Sequence, residues 1–390
     1  MKKTLIAFAA LSAIAGMAQA QSTVTIYGLV DANLSSLKTN VFVPAVGVTP
    51  ASVQSLRQTR IEGAGLNGNR WGIRVSEDLG GGMAAIANLE SGFNIDTGAS
   101  GQGGLLFGRR ANVGVSSGFG TVTLGRNSSS YDDVSADHTM MAQTIFDPSN
   151  NNNGVSAATV TTAATALGTV AGNANFLSRG SNQTATWIGF NTRFNNSVKY
   201  ISPNFSGFSG SVMYGLGEDK TTTTSSSKTI SANLKYANGP LLVSGGYQSE
   251  EAPVVATTVG KPALQNTLLS VAYDFGVAKV GAGFNRAKYK DVQYNGHELA
   301  AQKEFSLSVA VPLGATTISA GYAQSKGDDL GKSTGYGVQA LYSLSKRTTL
   351  YTGVASSKTY DNLANATATL APTSNIGRNT QYALGVRHTF

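Results

Sequence analysis

The chain has 390 residues, with 29 Lys and Arg against 21 Asp and Glu, 46 Gly and no Cys. Charged residues make up only 13%, about half of what soluble domains carry, and without cysteine the fold has no disulfide framework. The sequence also contains no Cys/His cluster or His-Glu-x-x-His motif and no clustered basic run, so we predict no metal, no cofactor and no nucleic-acid partner.

Residues 1–20 have the pattern of a secretory signal peptide. Lys2 and Lys3 precede an apolar stretch from Leu5, and Ala18-Gln19-Ala20 is a small-x-small cleavage site. A buried N-terminal helix is the alternative, but the next residues, "QSTVTIYG", already have strand composition. We therefore predict a mature domain of residues 21–390, in which 27 basic residues stand against 21 acidic ones for a net charge of +6.

The mature sequence contains no apolar run near the ~18 residues that a transmembrane helix requires. Two classes of exported protein remain. One is a large soluble β protein, and the other is a transmembrane β-barrel, whose hydrophobicity is hidden in alternation.

Alternating segments of about ten residues recur along the chain, the length that a tilted strand needs to cross a bilayer. In the clearest one, Phe305, Leu307 and Val309 share one parity and Ser306 and Ser308 the other. Similar alternation covers 208–214, 230–236, 269–275 and the last ten residues, "QYALGVRHTF". Many apolar faces end in Tyr or Phe, which is typical of the aromatic girdle of a membrane barrel.

Two kinds of connection alternate between these segments. Seven are tight and mostly rich in Gly, Pro, Asn or Asp: "EDLGGGM", "SSGFGT", "SPNFSGF", "YANGPL", "YDFGVAK", "VPLGATT" and "SLSKRTT". Eight are long and polar, around 38–66, 96–103, 127–182, 217–227, 250–262, 291–299, 325–332 and 358–378. Fifteen connections predict a sixteen-stranded antiparallel barrel with short turns at one end and long loops at the other.

Closure of this barrel requires the last strand to pair with the first, since unpaired backbone groups in hydrocarbon cost several kcal/mol each. We predict that residues 381–390 pair with 22–30. A barrel of this size encloses water rather than packed side chains. The longest connection, 127–182, is expected to fold inward and narrow that lumen.

Parity also predicts where several arginines point. Trp71, Ile73 and Val75 share the lipid-facing parity, which directs Arg70 and Arg74 into the lumen. The opposite direction costs roughly 2–4 kcal/mol for an arginine at the bilayer midplane. Beside Val113 and Val115, strict parity turns Arg110 inward and Arg109 outward.

Several motifs together resemble the general diffusion porins of Gram-negative bacteria, particularly the beta-proteobacterial branch. They are "SEDLGGG", "FGTVTLGR", "SPNFSGFSGSVMYG", "YDFGVAK", "LSKRTTLY" and the terminal Phe390, in order along the mature chain. The resemblance implies a homotrimer of sixteen-stranded barrels in the outer membrane, in contact with lipid and lipopolysaccharide. It also implies passive diffusion of small hydrophilic solutes and ions, and reading of Phe390 by the outer-membrane assembly machinery.

The resemblance further implies a constriction where wall arginines face acidic and carbonyl groups of the third long loop. The matching wall arginines here are Arg70, Arg74, Arg109, Arg110, Arg126 and Arg193. The family match thus favours an inward Arg109, where parity favours Arg110, and a bulge would reconcile the two. The acidic candidates are Glu90 on the wall and Asp132, Asp133, Asp137 and Asp147 on the loop. The loop has "FDPSNNNNG" where many relatives carry a Pro-Glu-Phe-Gly-like stretch, which leaves the acidic edge open. We expect mild anion preference.

Rival functions have weaker support. A substrate-specific porin needs a binding constellation that the sequence does not single out. A barrel enzyme would use Ser116 of "GVSSG" or another Ser as nucleophile, but that motif lies at a strand-to-strand turn and the chain has only 3 His. The glycine-rich "GAGLNG" at 63–68 lacks the following helix of a nucleotide site. A surface antigen role is compatible with a channel. We therefore predict no catalytic residues.

Overall fold

The structure is a computed structural model that describes residues 22–43, 52–149, 185–254, 260–291, 293–294, 297–358, 360–361 and 377–390. The predicted signal peptide, 1–20, lies outside these ranges. So does the distal part of the predicted constriction loop, from residue 150 onward to 182.

Strands dominate the described residues. They are β1 Thr23–Val43, β2 Ser52–Gly63, β3 Arg70–Gly80, β4 Met83–Gly92, β5 Arg110–Ser117, β6 Gly120–Ser128, β7 Arg193–Ile201, β8 Phe208–Leu216, β9 Lys228–Asn238, β10 Leu241–Glu251, β11 Ala263–Asp274, β12 Lys279–Lys290, β13 Gln293–Tyr294, β14 His297–Glu298, β15 Gln302–Leu313, β16 Thr316–Gly327, β17 Gly331–Ser343, β18 Thr348–Lys358 and β19 Arg378–Thr389. A 3-10 turn, Gln102–Gly104, follows β4. Among the described residues, no helix is both long and apolar enough to cross a bilayer.

Antiparallel pairing closes these strands into a barrel. The sheet contains 17 strands, and β19 pairs with β1. Both β2 and β3 pair with β1, along residues 32–43 and 23–29 respectively, so they form one barrel strand that is interrupted at 64–69. Counting that pair once gives sixteen barrel strands, which confirms the predicted closed antiparallel barrel. The short hairpin β13–β14 lies apart from the sheet.

Side-chain alternation explains why the barrel is stable in lipid. On β15, Phe305 and Leu307 face outward and are 49% and 57% exposed, whereas Ser306 and Ser308 face inward and are buried. Outward apolar groups face hydrocarbon, and inward small polar groups leave room for water and for the loop inside.

Two predicted long loops are wrong. Much of 38–66 is strand, because β1 continues to Val43 and β2 pairs with it over twelve positions. Exposed polar residues fill most of β2, so it has no apolar alternation to signal a strand. The predicted loop 325–332 is a tight hairpin, with three residues between Gly327 of β16 and Gly331 of β17. The seven segments predicted as tight turns separate consecutive strands by two to six residues.

The register of the closing pair also differs from the prediction. β19 pairs with Leu29–Lys38 rather than with 22–30. The backbone N–H groups of Gly28 and Phe390 each donate to the other's carbonyl at 3.0 Å, which marks the end of this pairing. The shift reflects the stagger that strands must adopt when a tilted sheet closes. It leaves residues 23–27 to pair with β3 alone.

Candidate pore constriction

A cavity of about 1180 Å³ lies inside the barrel. Its wall consists of inward residues from β1 to β7 and β19, the bend at 64–69, the segment after β4, and the segment after β6. Charged side chains are prominent in this wall. They are Arg60, Arg70, Arg74, Arg109, Arg110, Arg126 and Arg193, with Glu62, Glu90, Asp96 and Asp132. The structure thus brings all six arginines selected from the sequence to one cavity.

Glu90 on β4 is the acidic centre of the arginine cluster. Its Oε1 lies 2.6 Å from Nε of Arg109, and its Oε2 accepts a hydrogen bond from the hydroxyl of Tyr27 at 2.7 Å. Both members of the ion pair are largely buried, with side chains 12% and 8% exposed. The pair therefore holds Arg109 in a fixed position against the wall.

Arg109 and Arg110 both line the cavity, which answers the question that parity and family match left open. Arg110 begins β5 opposite Glu90 in the register. Arg109 precedes the strand, and its backbone N–H still donates to the carbonyl of Glu90 at 3.1 Å. Because Arg109 lies just outside the strand, strand alternation does not govern its direction.

Other arginines are oriented by neutral groups. The guanidinium of Arg74 lies over the ring of Tyr27, 4.1 Å from its centroid. Arg126 donates from Nε to the carbonyl of Gly108 at 2.7 Å and from Nη1 to the side-chain oxygen of Asn195 at 2.6 Å. These contacts order the side chains without cancelling their charges.

The segment after β6 crosses the barrel interior. Its N-terminal part is bound to β9, where Tyr131 N–H donates to Ser231 Oγ at 2.7 Å. Further along, Met140 N–H donates to Ser308 Oγ of β15 at 2.9 Å. Past β15, the hydroxyl of Thr144 donates to Gln339 Oε1 of β17 at 3.0 Å. These three hydrogen bonds attach the described part of this loop to β9, β15 and β17.

Glycines on that wall make room for the loop. A Cβ on Gly283 would lie 2.6 Å from the Cβ of His138, and one on Gly353 would lie 2.9 Å from the ring of Phe146. Contacts this short do not occur, so a larger residue at either position would push the loop away. Small residues on the far strands thus determine where the loop lies.

The segment through which the loop returns to β7, from residue 185 onward, is held by carboxylates of the barrel wall. Glu304 accepts the backbone N–H of Ile188 at 2.7 Å, and Glu250 accepts that of Asn191 at 3.0 Å. Trp187 stacks on His138 with ring centroids 4.6 Å apart, which joins the two limbs of the loop. The loop is therefore held at both ends of its described part.

The loop acids have different environments. Asp132 lines the cavity. Asp133 and Asp137 instead form ion pairs with wall lysines, to Lys199 at 2.6 Å and to Lys235 at 2.9 Å. Asp147 accepts hydrogen bonds from Ser149, both from its N–H and its hydroxyl, at 2.9 and 2.7 Å. Only one of the four predicted loop acids thus lies on the cavity.

Burial affects the titration of these loop groups. Removal from water raises the pKa of Asp132 to about 6, an effect that the charge of Arg193 partly opposes. The pKa of Asp147 is also raised to about 6 by burial, against its hydrogen bonds from Ser149. Burial lowers the pKa of His138 to about 3, which keeps its ring neutral. Asp132 is therefore a titratable charge on the cavity wall.

The sequence reasoning missed the inward bend at 64–69. The buried carboxylate of Asp31 accepts the backbone N–H groups of Leu66 and Asn67 at 2.7 and 2.9 Å, and the hydroxyl of Tyr351 also donates to it. Arg60, Glu62 and Asp96 on the cavity were missed as well, since they lie in segments read as loop. The inward acid at position 31 within an alternating strand was the available signal.

Comparisons with known proteins give a consistent result. The Gram-negative porin profile matches residues 7–362. The chain is 31% identical to outer membrane porin protein 32 of Delftia acidovorans, over 93% of this chain and 91% of that protein. It is 28% identical to an outer membrane porin protein of Bordetella pertussis over the full length of both. The solved anion-selective porin from Comamonas acidovorans superposes with a TM-score of 0.68 at 25% identity, over 95% of this chain and 100% of that one.

Proposed function

The chain belongs to the Gram-negative porin family and is a β-barrel channel protein of the bacterial outer membrane, and we propose that it is a passive, weakly selective channel with mild anion preference. Its cargo would be small hydrophilic solutes and ions. The arginine cluster around Glu90 would form the constriction together with the loop after β6.

The observation that carries this proposal is the charge imbalance of the cavity wall. Seven arginines stand against four acids there, a local excess of three positive charges. Glu90 neutralises Arg109, and Glu62 lies 2.8 Å from Arg60 through Oε2 and Nε. The remaining cations are therefore opposed mainly by Asp96 and Asp132.

The placement of the charges determines the direction of the electric field across the constriction, in addition to the sign of the excess charge. The arginines project from β2, β3, β5, β6 and β7 and from the segment just before β5, and Asp132 belongs to the loop. Opposed charges in a narrow passage with low-dielectric walls create a transverse field that orients dipolar solutes and disfavours apolar ones. The excess of arginine then favours anions over cations. The relative from Comamonas acidovorans is named as anion-selective, which supports the same sign here.

Export, assembly and partners complete the proposal. Residues 1–20 would be removed as a signal peptide, and three copies would associate as in other general diffusion porins. Phe390, at the end of the closing strand, would be read by the assembly machinery. The relatives are porins, which are channels rather than enzymes, and we extend this to the present chain.

Single-channel recording of the refolded protein in planar bilayers tests the channel proposal. We expect conductance that rises in steps of three, as three barrels insert together. Folded protein that inserts without conducting would overturn the proposal. Conductance that rises by one barrel at a time would contradict the trimer but not the channel proposal.

A further inference from the structure

Tyr27 reaches across one barrel strand to contact the next. In the register, Gly72 of β3 lies opposite Tyr27 of β1 on one side and opposite Glu90 of β4 on the other. Because neighbouring strands lie ~4.8 Å apart, β1 and β4 are roughly 10 Å apart at this level. The hydroxyl of Tyr27 nevertheless donates to Oε2 of Glu90 at 2.7 Å. The side chain of Tyr27 therefore lies over Gly72 and along the barrel wall.

The glycine at position 72 makes this path possible. A Cβ on Gly72 would lie 2.8 Å from Cζ and 2.8 Å from the hydroxyl oxygen of Tyr27. This is closer than packed atoms approach, so a larger residue at position 72 would displace Tyr27 from the wall. Gly72 is buried, whereas Tyr27 is half-buried and borders the cavity. The two residues together place an aromatic ring on the wall of the passage.

Arg74 also contacts this ring. Its guanidinium carbon lies 4.1 Å from the ring centroid of Tyr27, within the ~6 Å over which a cation is attracted to an aromatic face. A guanidinium held in this way keeps its full charge, because the ring is neutral. Tyr27 therefore binds a cation through its ring and an anion, Glu90, through its hydroxyl.

Arg74 and Glu90 are placed to form an ion pair with each other. Arg74 lies opposite Asn88 of β4, and Glu90 is two residues further along that strand. Diagonal positions of this kind are ~7–8 Å apart, a distance that long side chains span. Glu90 pairs instead with Arg109 through Oε1, and Arg74 forms no ion pair with any residue that the structure describes. The distance between the strands does not explain why these two charges stay apart.

Tyr27 occupies the contacts that an ion pair between Arg74 and Glu90 would need. Its hydroxyl donates to Oε2, the oxygen of Glu90 that Nε of Arg109 does not contact. Its ring holds the guanidinium of Arg74. Both contacts come from a neutral side chain, so they order the two charged groups without joining them.

We propose that Tyr27 is a positioning residue that determines ion specificity by separating Arg74 from Glu90. This deepens the proposed function and rests on its charged constriction. An ion pair between the two would leave the net charge of the cavity unchanged, but it would move the charge of Arg74 from the passage to the wall. The stacked guanidinium instead acts on passing ions at close range, where a charge has its largest effect. An uncharged residue thereby affects which ions pass.

The crystal structure of a Tyr27→Leu variant tests the geometric part of this assignment. With the ring and the hydroxyl removed, we expect a side-chain nitrogen of Arg74 to lie within about 4 Å of a carboxylate oxygen of Glu90, the distance of an ion pair. A structure in which Arg74 stays away from Glu90 would overturn the separating role of Tyr27. This measurement needs no ion flow, so it is independent of the channel proposal.

Permeability ratios in planar bilayers test the functional part. Tyr27→Leu should lower the anion-to-cation permeability ratio by on the order of 1.5-fold, because the charge of Arg74 moves to the wall. Tyr27→Phe keeps the ring and should retain most of the parent's ratio. In an Arg74→Ala background, Tyr27→Leu should cause no further decrease, because the cation that Tyr27 separates is gone. An equal decrease in both backgrounds would show that Tyr27 does not act through Arg74.

Phe93→Leu is the matched control for the loss of an aromatic ring from the cavity wall. Phe93 borders the same cavity and directly follows β4. Its substitution should leave the permeability ratio as in the parent. A decrease as large as that of Tyr27→Leu would mean that the width of the passage, and not the position of Arg74, sets the ratio.

The two measurements together separate this inference from the proposed function. If Arg74 pairs with Glu90 in Tyr27→Leu and the ratio does not change, Tyr27 does not determine specificity. A parent protein without anion preference would contradict the proposed function, while the crystal structure would still decide the separating role. If Tyr27→Leu does not fold, Tyr27→Met, which has a long side chain without a ring, replaces it in both measurements.

Discussion

The backbone N–H of Ile145 donates to the carbonyl of Gly65 at 2.9 Å, which joins the inward loop to the bend between β2 and β3. Both segments border the cavity, Ile145 directly and the bend through Ala64, Gly68 and Asn69. The bend in turn depends on the carboxylate of Asp31. The width of the passage therefore depends on a residue that does not line it.

Asp31→Asn should loosen this contact. The amide keeps the size of the carboxylate but weakens its hydrogen bonds to the backbone of the bend, for a loss on the order of 2–3 kcal/mol. We expect noisier single-channel current and a lower thermal unfolding midpoint. Asp78→Asn is the control, since Asp78 accepts the N–H of Gly80 at 2.8 Å in an exposed turn away from the cavity. Equal noise in both variants would contradict a specific role for Asp31.

Removing two arginines should shift ion selectivity. Arg70→Ala with Arg74→Ala reduces the local excess on the cavity wall from three positive charges to one. We expect the anion-to-cation permeability ratio to fall by on the order of twofold, because the local charge balance sets which ions accumulate. Lys346→Ala with Arg347→Ala removes two charges from the β17–β18 turn and serves as the control. A ratio unchanged by the Arg70 and Arg74 pair would show that these residues do not set selectivity.

Glu90→Gln should act in the opposite direction. The substitution frees the charge of Arg109, so anion preference rises even though the size of the side chain hardly changes. It also leaves Arg109 without its partner 2.6 Å away, which costs part of the ~3–5 kcal/mol typical of broken buried pairs. Adding Arg109→Gln should bring selectivity back toward the parent value, measured again as a permeability ratio. An unchanged ratio in the single variant would contradict a conducting path past Glu90.

Selectivity should also depend on pH. The pKa of Asp132 is raised to about 6, so this carboxylate is charged at pH 7 and largely neutral at pH 5. Lowering the pH across this window removes one negative charge from the cavity, and anion preference should increase. Asp132→Asn should abolish this increase in anion preference at low pH. Asp147→Asn is the matched control, since the pKa of Asp147 is also about 6 but its side chain does not line the cavity. If the pH-dependent change in anion preference is lost in Asp147→Asn and kept in Asp132→Asn, the titrating group is Asp147 and not Asp132.

Phe390 should matter for assembly rather than for conduction. Its backbone exchanges hydrogen bonds with Gly28 at the rim, and its side chain is 51% exposed. Deleting it should lower the amount of folded protein in the outer membrane, measured by heat-dependent gel migration. The protein that does assemble should keep its conductance. Normal assembly without Phe390 would contradict the proposed signal.

The barrel could be predicted from the sequence because lipid imposes a two-residue period on each strand, as in Phe305 and Leu307 against Ser306 and Ser308. This period did not predict β2, because β2 extends beyond the membrane into water, where neither face of a strand needs to be apolar. The period also gave the directions of Arg70 and Arg74 correctly, and it failed for Arg109 because that residue precedes its strand.

The path of the inward loop was not readable from local pattern. It depends on small residues such as Gly283 and Gly353, which are far from the loop in sequence and look like weak strand positions. For the same reason the sequence could not show which of the loop acids line the cavity and which pair with wall lysines. Only the fold shows that Asp133 and Asp137 meet lysines of β7 and β9 while Asp132 remains on the cavity.

The reversal potential of the purified protein in a planar bilayer, under a tenfold potassium chloride gradient at neutral pH, tests the central claim most directly. The excess of arginine on the cavity wall predicts a reversal potential displaced toward the equilibrium potential of chloride. Displacement toward the equilibrium potential of potassium would contradict the account of an arginine-dominated constriction.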